Sequence, residues 1–261
     1  MRTIVQLSDL HFGSILEPTL DPLIDALWAL APDLVIVSGD LTQRAKPAQF
    51  REAQQFLERM PTPRIVITGN HDIPLYNVFR RFARPLAAYK AHISEELESS
   101  FVDDEVAVVA MNSARSFTFK GGTLDAEQVA AATATFRHAS PGAARIVVAH
   151  HPFHIPPKLS GVTVVNGIDH AMRAFADCGV DLFLAGHLHL RHEASAEVYV
   201  PGFKATILGA GTATSTRARG EPNSFYVFRV GPTAIEVEVR QWSAVHRQFT
   251  VLETRVLPKA R

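Results

Sequence analysis

The sequence predicts an α/β fold in which helices cover a largely parallel β-sheet. Short apolar runs alternate with amphipathic stretches up to Val198, and beyond that residue only apolar runs remain. Apolar side chains make up 47% of the 261 residues, which is enough for a large buried core. We therefore expect a single domain over residues 1–261, with a second, mixed or antiparallel sheet formed by the C-terminal runs.

Short runs rich in valine, isoleucine and leucine predict the strands. They cover residues 4–7, 34–37, 64–67, 106–111, 146–149, 182–185, 206–208, 225–230, 235–240 and 249–252. Apolar residues at spacings of three and four predict helices at 16–30, 48–60, 74–100, after Asp125 and near 168–178. Pro74 and Pro85 interrupt the third helical segment, and Asp125 with Gln128 forms a plausible capping box for the fourth.

The charge balance limits the classes of partner. Lysine plus arginine and aspartate plus glutamate number 26 each, which argues against a broad nucleic-acid or membrane-binding surface and leaves local basic patches open. The single cysteine, Cys178, cannot form an intrachain disulfide and lies in a helical apolar pattern typical of a core thiol. With no targeting segment and no run long enough to span a bilayer, we expect a cytoplasmic protein without a membrane partner.

Five predicted strands end directly in metal-ligand residue types. The segments that follow them are Ser8-Asp9-Leu10-His11, Ser38-Gly39-Asp40, Thr68-Gly69-Asn70-His71-Asp72, His150-His151-Pro152 and Gly186-His187-Leu188-His189. Ligands of open α/β sheets bind at the carboxyl ends of the strands. If these strands are parallel neighbours, all five segments meet at one edge of the sheet.

The residue types at this edge predict a site for two metal ions. Mixed carboxylate, amide and imidazole ligands suit zinc, manganese or iron better than calcium or magnesium. The candidate ligands are Asp9, His11, Asp40, Asn70, His150, His187 and His189. Seven ligands are too many for one ion. Taken singly, each segment also fits a turn, a helix cap or one face of a strand, but five such coincidences after five apolar strands are a much poorer explanation.

The ordered set of these segments resembles the calcineurin-like metallophosphoesterases. The similarity runs from residue 4 to about 190 and rests on Asp9-x-His11, Gly39-Asp40, Gly69-Asn70-His71-Asp72, His150 and Gly186-His187-x-His189. It implies a four-layer α/β/β/α sandwich. Within the family, the phrases Ser8–Phe12 and Ser38–Thr42 and the compact size are most similar to the bacterial cyclic-nucleotide phosphodiesterase-like (class III) group.

The resemblance also implies the role of each site residue. One metal would be held by Asp9, His11, Asp40 and His189, and the other by Asp40, Asn70, His150 and His187. Asp40 would bridge two divalent or trivalent ions (Mn²⁺, Fe²⁺/Fe³⁺ or Zn²⁺), which lie about 3.5–4 Å apart in such sites and activate a hydroxide for attack on phosphorus. His71 would bind no metal and would act as general acid or stabilise charge on the phosphoryl oxygens.

The implied function is hydrolysis of a small phosphodiester such as a cyclic nucleotide. A phosphomonoesterase, a nuclease and a non-catalytic scaffold of the same fold are the alternatives. Neutral charge disfavours the nuclease, and the complete ligand set disfavours the scaffold. Gln43 stands where the family's protein phosphatases have an aspartate that orients the catalytic histidine, which argues against a phosphoprotein substrate. Arg44, one residue later, is a candidate phosphate contact. The sequence leaves homodimer formation open.

Two further features concern the substrate. Asn112 follows the strand at 106–111 and is either a substrate contact or a turn asparagine. The hydroxyl-rich loop at 211–223 carries Arg217 and Arg219, which are candidates for holding a phosphate, although the loop is equally consistent with a solvated one. Arg80 and Arg84 share one face of a predicted helix, and we expect that face to be solvated.

Overall fold

The computed structural model describes residues 1–118 and 120–260. The twelve strands are β1 Arg2–Leu7, β2 Leu34–Ser38, β3 Arg64–Ile67, β4 Ser99–Val102, β5 Val106–Ala110, β6 Ala144–Val148, β7 Leu182–Ala185, β8 His192–Ser195, β9 Thr206–Gly209, β10 Ser224–Val230, β11 Ala234–Ser243 and β12 Gln248–Pro258. The six α-helices are α1 Leu20–Leu30, α2 Pro47–Glu58, α3 Val78–Ala83, α4 Ala87–His92, α5 Ala126–His138 and α6 Ile168–Asp177. Short 3₁₀ turns cover Glu17–Thr19, Asn70–Asp72 and Ala196–Val198.

The strands form two six-stranded sheets. The first has the order β12-β11-β10-β1-β2-β3, and the second has the order β4-β5-β6-β7-β9-β8. Strands β1, β2 and β3 are parallel, and so are β5, β6, β7 and β9. Antiparallel strands complete both sheets, with β10 to β12 extending the first and β4 and β8 at the edges of the second.

Three apolar layers hold the two sheets and their helices together. The outer face of the first sheet packs against α1 and α2, and the outer face of the second packs against α5 and α6. Between the sheets lies a third cluster to which both contribute, with Ile36 of β2 and Ile146 of β6 both fully buried. Because successive side chains of a strand point to opposite faces, each central strand supplies both its helix layer and the inter-sheet layer. This is the expected four-layer α/β/β/α sandwich.

The C-terminal strands do not form the separate sheet that the sequence suggested. Instead, β10 pairs antiparallel with β1, from Arg2 opposite Val230 to Gln6 opposite Tyr226, so β10 to β12 extend the N-terminal sheet. The second sheet comes from the middle of the chain. A pattern of apolar runs predicts where strands lie but not which strand each one pairs with. Tertiary packing decides the pairing.

Two edge strands were also missed. Residues 74–100 contain the two short helices α3 and α4 and then the strand β4, where a single helical segment was predicted. Strand β8, with the sequence His-Glu-Ala-Ser, has alternating half-buried and exposed residues and no apolar run. Edge strands of this kind have a weak sequence signal because only one face is covered. The capping box of α5 is confirmed: Asp125 accepts from the amide of Gln128, whose side chain accepts from the amide of Asp125.

Both ends of the described chain contribute to the same sheet, since β1 and β12 lie in it together. We infer from this interleaving that residues 1–261 form one domain. Cys178 is buried with its thiol directed toward the carbonyl of Thr133, as expected for a core position. Within the described residues, every helix is too short or too polar to cross a lipid bilayer.

Candidate metal centre

The predicted site segments meet where the two sheets face each other, not along the edge of one sheet. The segments after β1, β2 and β3 belong to the first sheet, and those after β6 and β7 belong to the second. Hydrogen bonds join the halves; for example, the His187 amide donates to Asp9 Oδ2 (3.0 Å), and Gln6 Nε2 donates to the carbonyl of Ala185 (3.2 Å). The expected convergence is therefore present, but face-to-face sheet packing produces it.

The first cluster contains the ligand atoms of one predicted metal position. Asp9, His11, Asp40 and His189 are all buried, and one potential ligand atom of each lies within 4.8 Å of the others. His11 Nε2 faces His189 Nε2 at 3.0 Å, and Asp9 Oδ1 lies 3.1 Å from His189 Nε2. Asp9 Oδ1 is buried and accepts no hydrogen bond from a described residue. A cation between these atoms would give each lone pair a partner, so the donor set fits a metal ion.

The second cluster adjoins the first through Asp40. His150 Nε2 lies 3.2 Å from Asn70 Oδ1 and 3.4 Å from Asp40 Oδ1, and His187 Nδ1 lies 2.9 Å from Asn70 Oδ1. His150 Nδ1–H donates to the carbonyl of Ser38 (2.8 Å), so Nε2 is the ring nitrogen directed into the cluster. Asp40 Oδ2 lies 3.6 Å from His11 Nε2, so its carboxylate has one oxygen toward each cluster.

The carboxylates of both clusters are held in their ionised form. Burial alone would raise the pKa of Asp9 and of Asp40, but the neighbouring imidazoles hold both carboxyl pKa values below their usual range. Burial would lower the pKa of His150, yet the Asp40 carboxylate outweighs it and raises that pKa to about 9. Burial together with His150 lowers the pKa of His187 to about 4. The pocket thus combines two buried negative charges with imidazoles, an environment that favours a cation.

The backbone at the site adopts an unusual conformation. Among the described residues, eight non-glycine residues have positive φ, and five of them are predicted ligands: Asp9, His11, Asp40, His187 and His189. A non-glycine residue rarely occupies this region, at a cost of roughly 1–3 kcal/mol each, and such residues cluster at functional sites. The strained turns point several side chains from each strand end toward the same small volume.

His71 lies beside the two clusters and contacts three groups of different character. Its amide donates to Asp40 Oδ1 (2.8 Å), and its Nδ1–H donates to the carbonyl of Gln43 (3.0 Å). Arg217 Nη1 donates to His71 Nε2 at 3.1 Å and to Gln43 Oε1 at 3.3 Å. Since guanidinium only donates, this arrangement requires a neutral His71 with its proton on Nδ1. Burial lowers the pKa of His71, an effect that Asp40 opposes and Arg217 reinforces.

Comparison with known proteins decides the family. The calcineurin-like phosphoesterase family model matches residues 2–191, which is most of the chain. The chain belongs to this family. Members depend on two metal ions, and the buried Asp and His cluster of this phosphoesterase is a potential metal site. The matched region includes all seven predicted ligands and His71, whereas Arg217 lies outside it.

Curated relatives of the phosphoesterase are described as phosphodiesterases. A probable cyclic nucleotide phosphodiesterase of Synechococcus is 32% identical over 81 residues, which are 28% of this chain and 32% of that protein. The glycerophosphodiester phosphodiesterase GpdQ of Enterobacter lignolyticus is 28% identical over 94 residues, which are 36% of this chain and 33% of that protein. The matches thus span about a third of each relative's length.

Solved structures share the fold of the phosphoesterase at low identity. A purple acid phosphatase from yellow lupin (Lupinus luteus) superposes with a TM-score of 0.76 at 12% identity, covering 98% of this chain and 53% of that one. A dimetal phosphatase from Danio rerio gives a TM-score of 0.63 at 13% identity, covering 99% of both chains. Vps29 from Chaetomium thermophilum gives 0.52 at 13% identity, covering 99% and 97%. These similarities establish the α/β/β/α architecture.

Several neighbours of the predicted ligands hold the site in place, although the sequence patterns did not single them out. The Ser8 hydroxyl donates to Asp9 Oδ2 at 2.5 Å. The Asp72 carboxylate accepts from the amides of Leu41, Thr42 and Gly69 and so ties the second and third strand ends together. Burial and the Asp40 carboxylate raise the pKa of Asp72 to about 7. A serine or aspartate next to a ligand was the available signal, but supporting and ligating roles look alike in sequence.

The loop at 211–223 of the phosphoesterase is more ordered than a solvated loop. The hydroxyls of Thr212 and Thr214 donate to the carbonyls of Asp9 (2.6 Å) and Leu10 (2.9 Å), which anchors the first strand end. The carbonyl of Arg217 accepts from Nδ1–H of His189 (3.0 Å) and thereby orients that ring. Most of the hydroxyls are thus used internally, and Arg217 is the side chain of this loop that reaches His71, while Arg219 is exposed.

The remaining substrate candidates differ in how they are used. Asn112 is buried, and its Oδ1 accepts from the Thr68 hydroxyl (2.9 Å) and the Ala114 amide (3.0 Å), a pattern typical of a turn asparagine. Its role as a substrate contact remains a prediction. Arg44 places its guanidinium over the ring of Tyr76, 5.6 Å from the centroid. Arg80 and Arg84 are exposed as expected, whereas the neighbouring Arg81 is buried and donates to the carbonyls of Pro74 and Thr118.

Close packing of glycine at the strand ends gives a direct test of the phosphoesterase site. A Cβ at Gly186 would lie 1.9 Å from Ser8 Oγ and 2.6 Å from Asp9 Oδ2, so Gly186→Ala must displace the Asp9 carboxylate. We expect destabilisation of about 1–3 kcal/mol and weaker metal binding, measured by urea unfolding and by metal analysis after dialysis. Gly142→Ala is the matched control, because a Cβ there meets nothing within 4 Å. Equal metal content in the two variants would contradict the assignment of Asp9.

Proposed function

We propose that this phosphoesterase hydrolyses a phosphodiester of a small molecule, such as a cyclic nucleotide. The two clusters described above would hold two metal ions, with Asp40 between them. The position of Asp40 carries the proposal: it is buried, ionised and within 3.4–3.6 Å of imidazole nitrogens from both clusters. When bound, two such ions supply positive charge for the phosphoryl oxygens and an activated hydroxide as nucleophile.

The residues of the chain would divide the remaining work between orientation and charge. Ser38 and Arg217 use their carbonyls to fix the rings of His150 and His189, so the nitrogens on the opposite side of each ring stay aimed into the site. The Ser8 hydroxyl and the His187 amide hold Asp9 through Oδ2 and leave Oδ1 for a cation. The mixed oxygen and nitrogen donors suit Mn²⁺, Fe²⁺/Fe³⁺ or Zn²⁺.

His71 and Arg217 would serve the reacting phosphate. Arg217 Nη1 donates to His71 Nε2 at 3.1 Å, and the His71 amide donates to Asp40 Oδ1, which places the pair beside the two clusters. An incoming phosphoryl oxygen would take the Arg217 donor, because charge-assisted hydrogen bonds to phosphate are stronger than those to a neutral imidazole. His71 Nε2 would then be free to be protonated and to donate to the leaving oxygen.

The diester preference is supported by the relatives, which are described as cyclic nucleotide and glycerophosphodiester phosphodiesterases. The scaffold alternative predicts a broken ligand set, yet all seven predicted ligands are present and approach one another. The phosphomonoesterase and the nuclease remain the enzymatic alternatives. A reducing compartment such as the cytoplasm is part of the proposal, since Cys178 is a buried free thiol. A homodimer remains compatible with it.

The proposal predicts a substrate order. Manganese-loaded protein is expected to turn over bis-(p-nitrophenyl) phosphate and 3′,5′-cyclic AMP faster than p-nitrophenyl phosphate, measured as product release under identical conditions. Removal of metal by a chelator should abolish turnover, and manganese should restore it. Turnover of the monoester alone would show that the protein is a phosphomonoesterase and not a phosphodiesterase. Two bound metals with no turnover of any of the three would refute this substrate class.

A further inference from the structure

An exposed aromatic surface on the segments at 76–82 and 117 has no part in the proposed chemistry. It comprises Tyr76, Val78, Phe79, Phe82 and Phe117, which are 78%, 65%, 78%, 50% and 84% exposed. Four of the five large aromatic side chains that are exposed in the described chain belong to it, the fifth being Trp28. We call this set the aromatic rim. Exposed apolar clusters of this kind usually mark an interaction site.

The aromatic rim is one surface formed by two segments. The rings of Phe82 and Phe117 lie 5.5 Å apart, and buried Arg81 donates from α3 to the carbonyl of Thr118 in the second segment. Each segment also adjoins the site. The first begins directly after Asp72, and the second contains Ser113, whose hydroxyl lies 2.8 Å from His151 Nδ1. Both segments of the rim are therefore continuous with residues at the predicted site, Asp72 next to His71 and Ser113 against His151.

The two chain segments that carry the aromatic rim contain charged residues of one sign. Between Asp72 and Glu95, and again between Glu105 and Asp125, the sequence contains no aspartate or glutamate. These stretches contain six basic residues, namely Arg80, Arg81, Arg84, Lys90, Arg115 and Lys120. Arg80, Arg84 and Lys120 are exposed and form no ion pair with any described residue. The net charge of zero, which argued against an anionic partner, thus conceals a local separation of charge.

We propose that the aromatic rim binds an anionic lipid surface. Its side chains are exposed to solvent, and they include aliphatic Val78, which cannot stack on a nucleobase. The Phe82 and Phe117 rings are tilted by 45° and give an apolar wedge instead of parallel stacking platforms. Aromatic residues flanked by arginine and lysine are typical of segments that enter the boundary between headgroups and acyl chains, with the cations on lipid phosphates. The proposal is independent of the substrate class.

The test is flotation of the full chain with vesicles of equal parts phosphatidylcholine and phosphatidylglycerol, against phosphatidylcholine alone. We expect binding to the anionic vesicles only, weakened by added salt. Phe79→Ser with Phe117→Ser should lower binding by about tenfold or more, because both rings leave the apolar phase. Arg80→Glu with Arg84→Glu should do the same. Val245→Ser and Lys204→Glu are matched exposed controls and should bind as wild type.

Thermal unfolding of each variant checks that the fold is retained. Vesicle binding requires no turnover, so a protein that does not bind vesicles could still be the proposed phosphodiesterase, and the reverse. Equal recovery on anionic and neutral vesicles, or unaltered binding by the two double variants, would overturn the proposal. If the protein binds a labelled oligothymidylate but no vesicles, and the same variants lose that binding, the proposal is wrong and the aromatic rim binds nucleic acid. If the wild type is a dimer that binds no vesicles, and Phe79→Ser with Phe117→Ser dissociates it, the aromatic rim instead contacts a second copy of the chain.

Discussion

Asp40→Asn is expected to lower turnover of bis-(p-nitrophenyl) phosphate by about 10³-fold or more while leaving the protein folded. The substitution preserves the shape of the side chain but removes the negative charge that both clusters share. Metal-based charge stabilisation of a phosphoryl transition state amounts to several kcal/mol, and each 1.36 kcal/mol is tenfold in rate. The loss should appear in kcat at saturating manganese, together with fewer metal ions per chain by elemental analysis.

Asp40→Asn should leave folding less affected than metal binding. In the absence of metal, the imidazoles outweigh the desolvation of Asp40 and hold its carboxyl pKa below the usual range, so removing the charge removes a net stabilisation. The loss is limited because the buried imidazoles can become neutral when their partner is an amide. The amide of His71 can still donate to the remaining oxygen at position 40. Asp177→Asn, at an exposed position of α6, is the control for loss of one carboxylate. Full activity of Asp40→Asn would contradict the proposal that two metal ions share the Asp40 carboxylate, because no other carboxylate of the described site faces both clusters.

The sequence predicted the candidate metal ligands because a ligand set leaves a local signature. Asp9-x-His11 and His187-x-His189 follow apolar strands directly, and the structure brings all of these residues together. The positive φ of five predicted ligands gives a reason for the constrained spacing: only a particular turn after each strand directs the side chain inward. Local sequence could therefore reveal the site without revealing which sheet each strand joins.

The sequence did not predict which distant segments of the chain pair or pack together. The pairing of β10 with β1, and the meeting of two sheets at one site, depend on contacts between segments more than 170 residues apart, such as Gln6 with the carbonyl of Ala185. The loop at 211–223 was suggestive only for its composition. Its actual use, with Thr212 and Thr214 anchoring the first strand end and Arg217 reaching His71, follows from that tertiary arrangement.

The second large effect is expected at His71. His71→Asn should lower turnover by about 10²-fold or more, the range of a positioned proton donor or acceptor. Arg217→Ala, at the exposed end of the same pair, should cost roughly tenfold to 10²-fold as the loss of one charged donor. Because the Arg217 guanidinium donates to His71 Nε2, the two residues should not act independently. Steady-state kinetics with the diester would measure both effects on kcat and KM.

The double variant distinguishes a coupled pair from two separate contacts. If His71 and Arg217 act as a unit, combining the substitutions should cost little more than His71→Asn alone, whereas independent contacts would multiply. Arg219→Ala is the matched control, since Arg219 is an exposed arginine of the same loop, in which Arg217 is the one bonded to His71. Multiplicative losses in the double variant would show that the Arg217–His71 contact has no role in turnover.

The leaving group can separate the two roles left open for His71. p-Nitrophenolate is stable without a proton, whereas an alkoxide such as that released from a cyclic nucleotide is not. If His71 delivers a proton, His71→Asn should therefore harm 3′,5′-cyclic AMP turnover more than bis-(p-nitrophenyl) phosphate turnover. If it only stabilises charge on the phosphoryl oxygens, the two losses should be equal. Gln43 fixes the Nδ1–H of His71 and Arg217 donates to Nε2, so proton delivery from Nε2 requires the bound phosphate first to take the Arg217 donor and the ring to gain a proton.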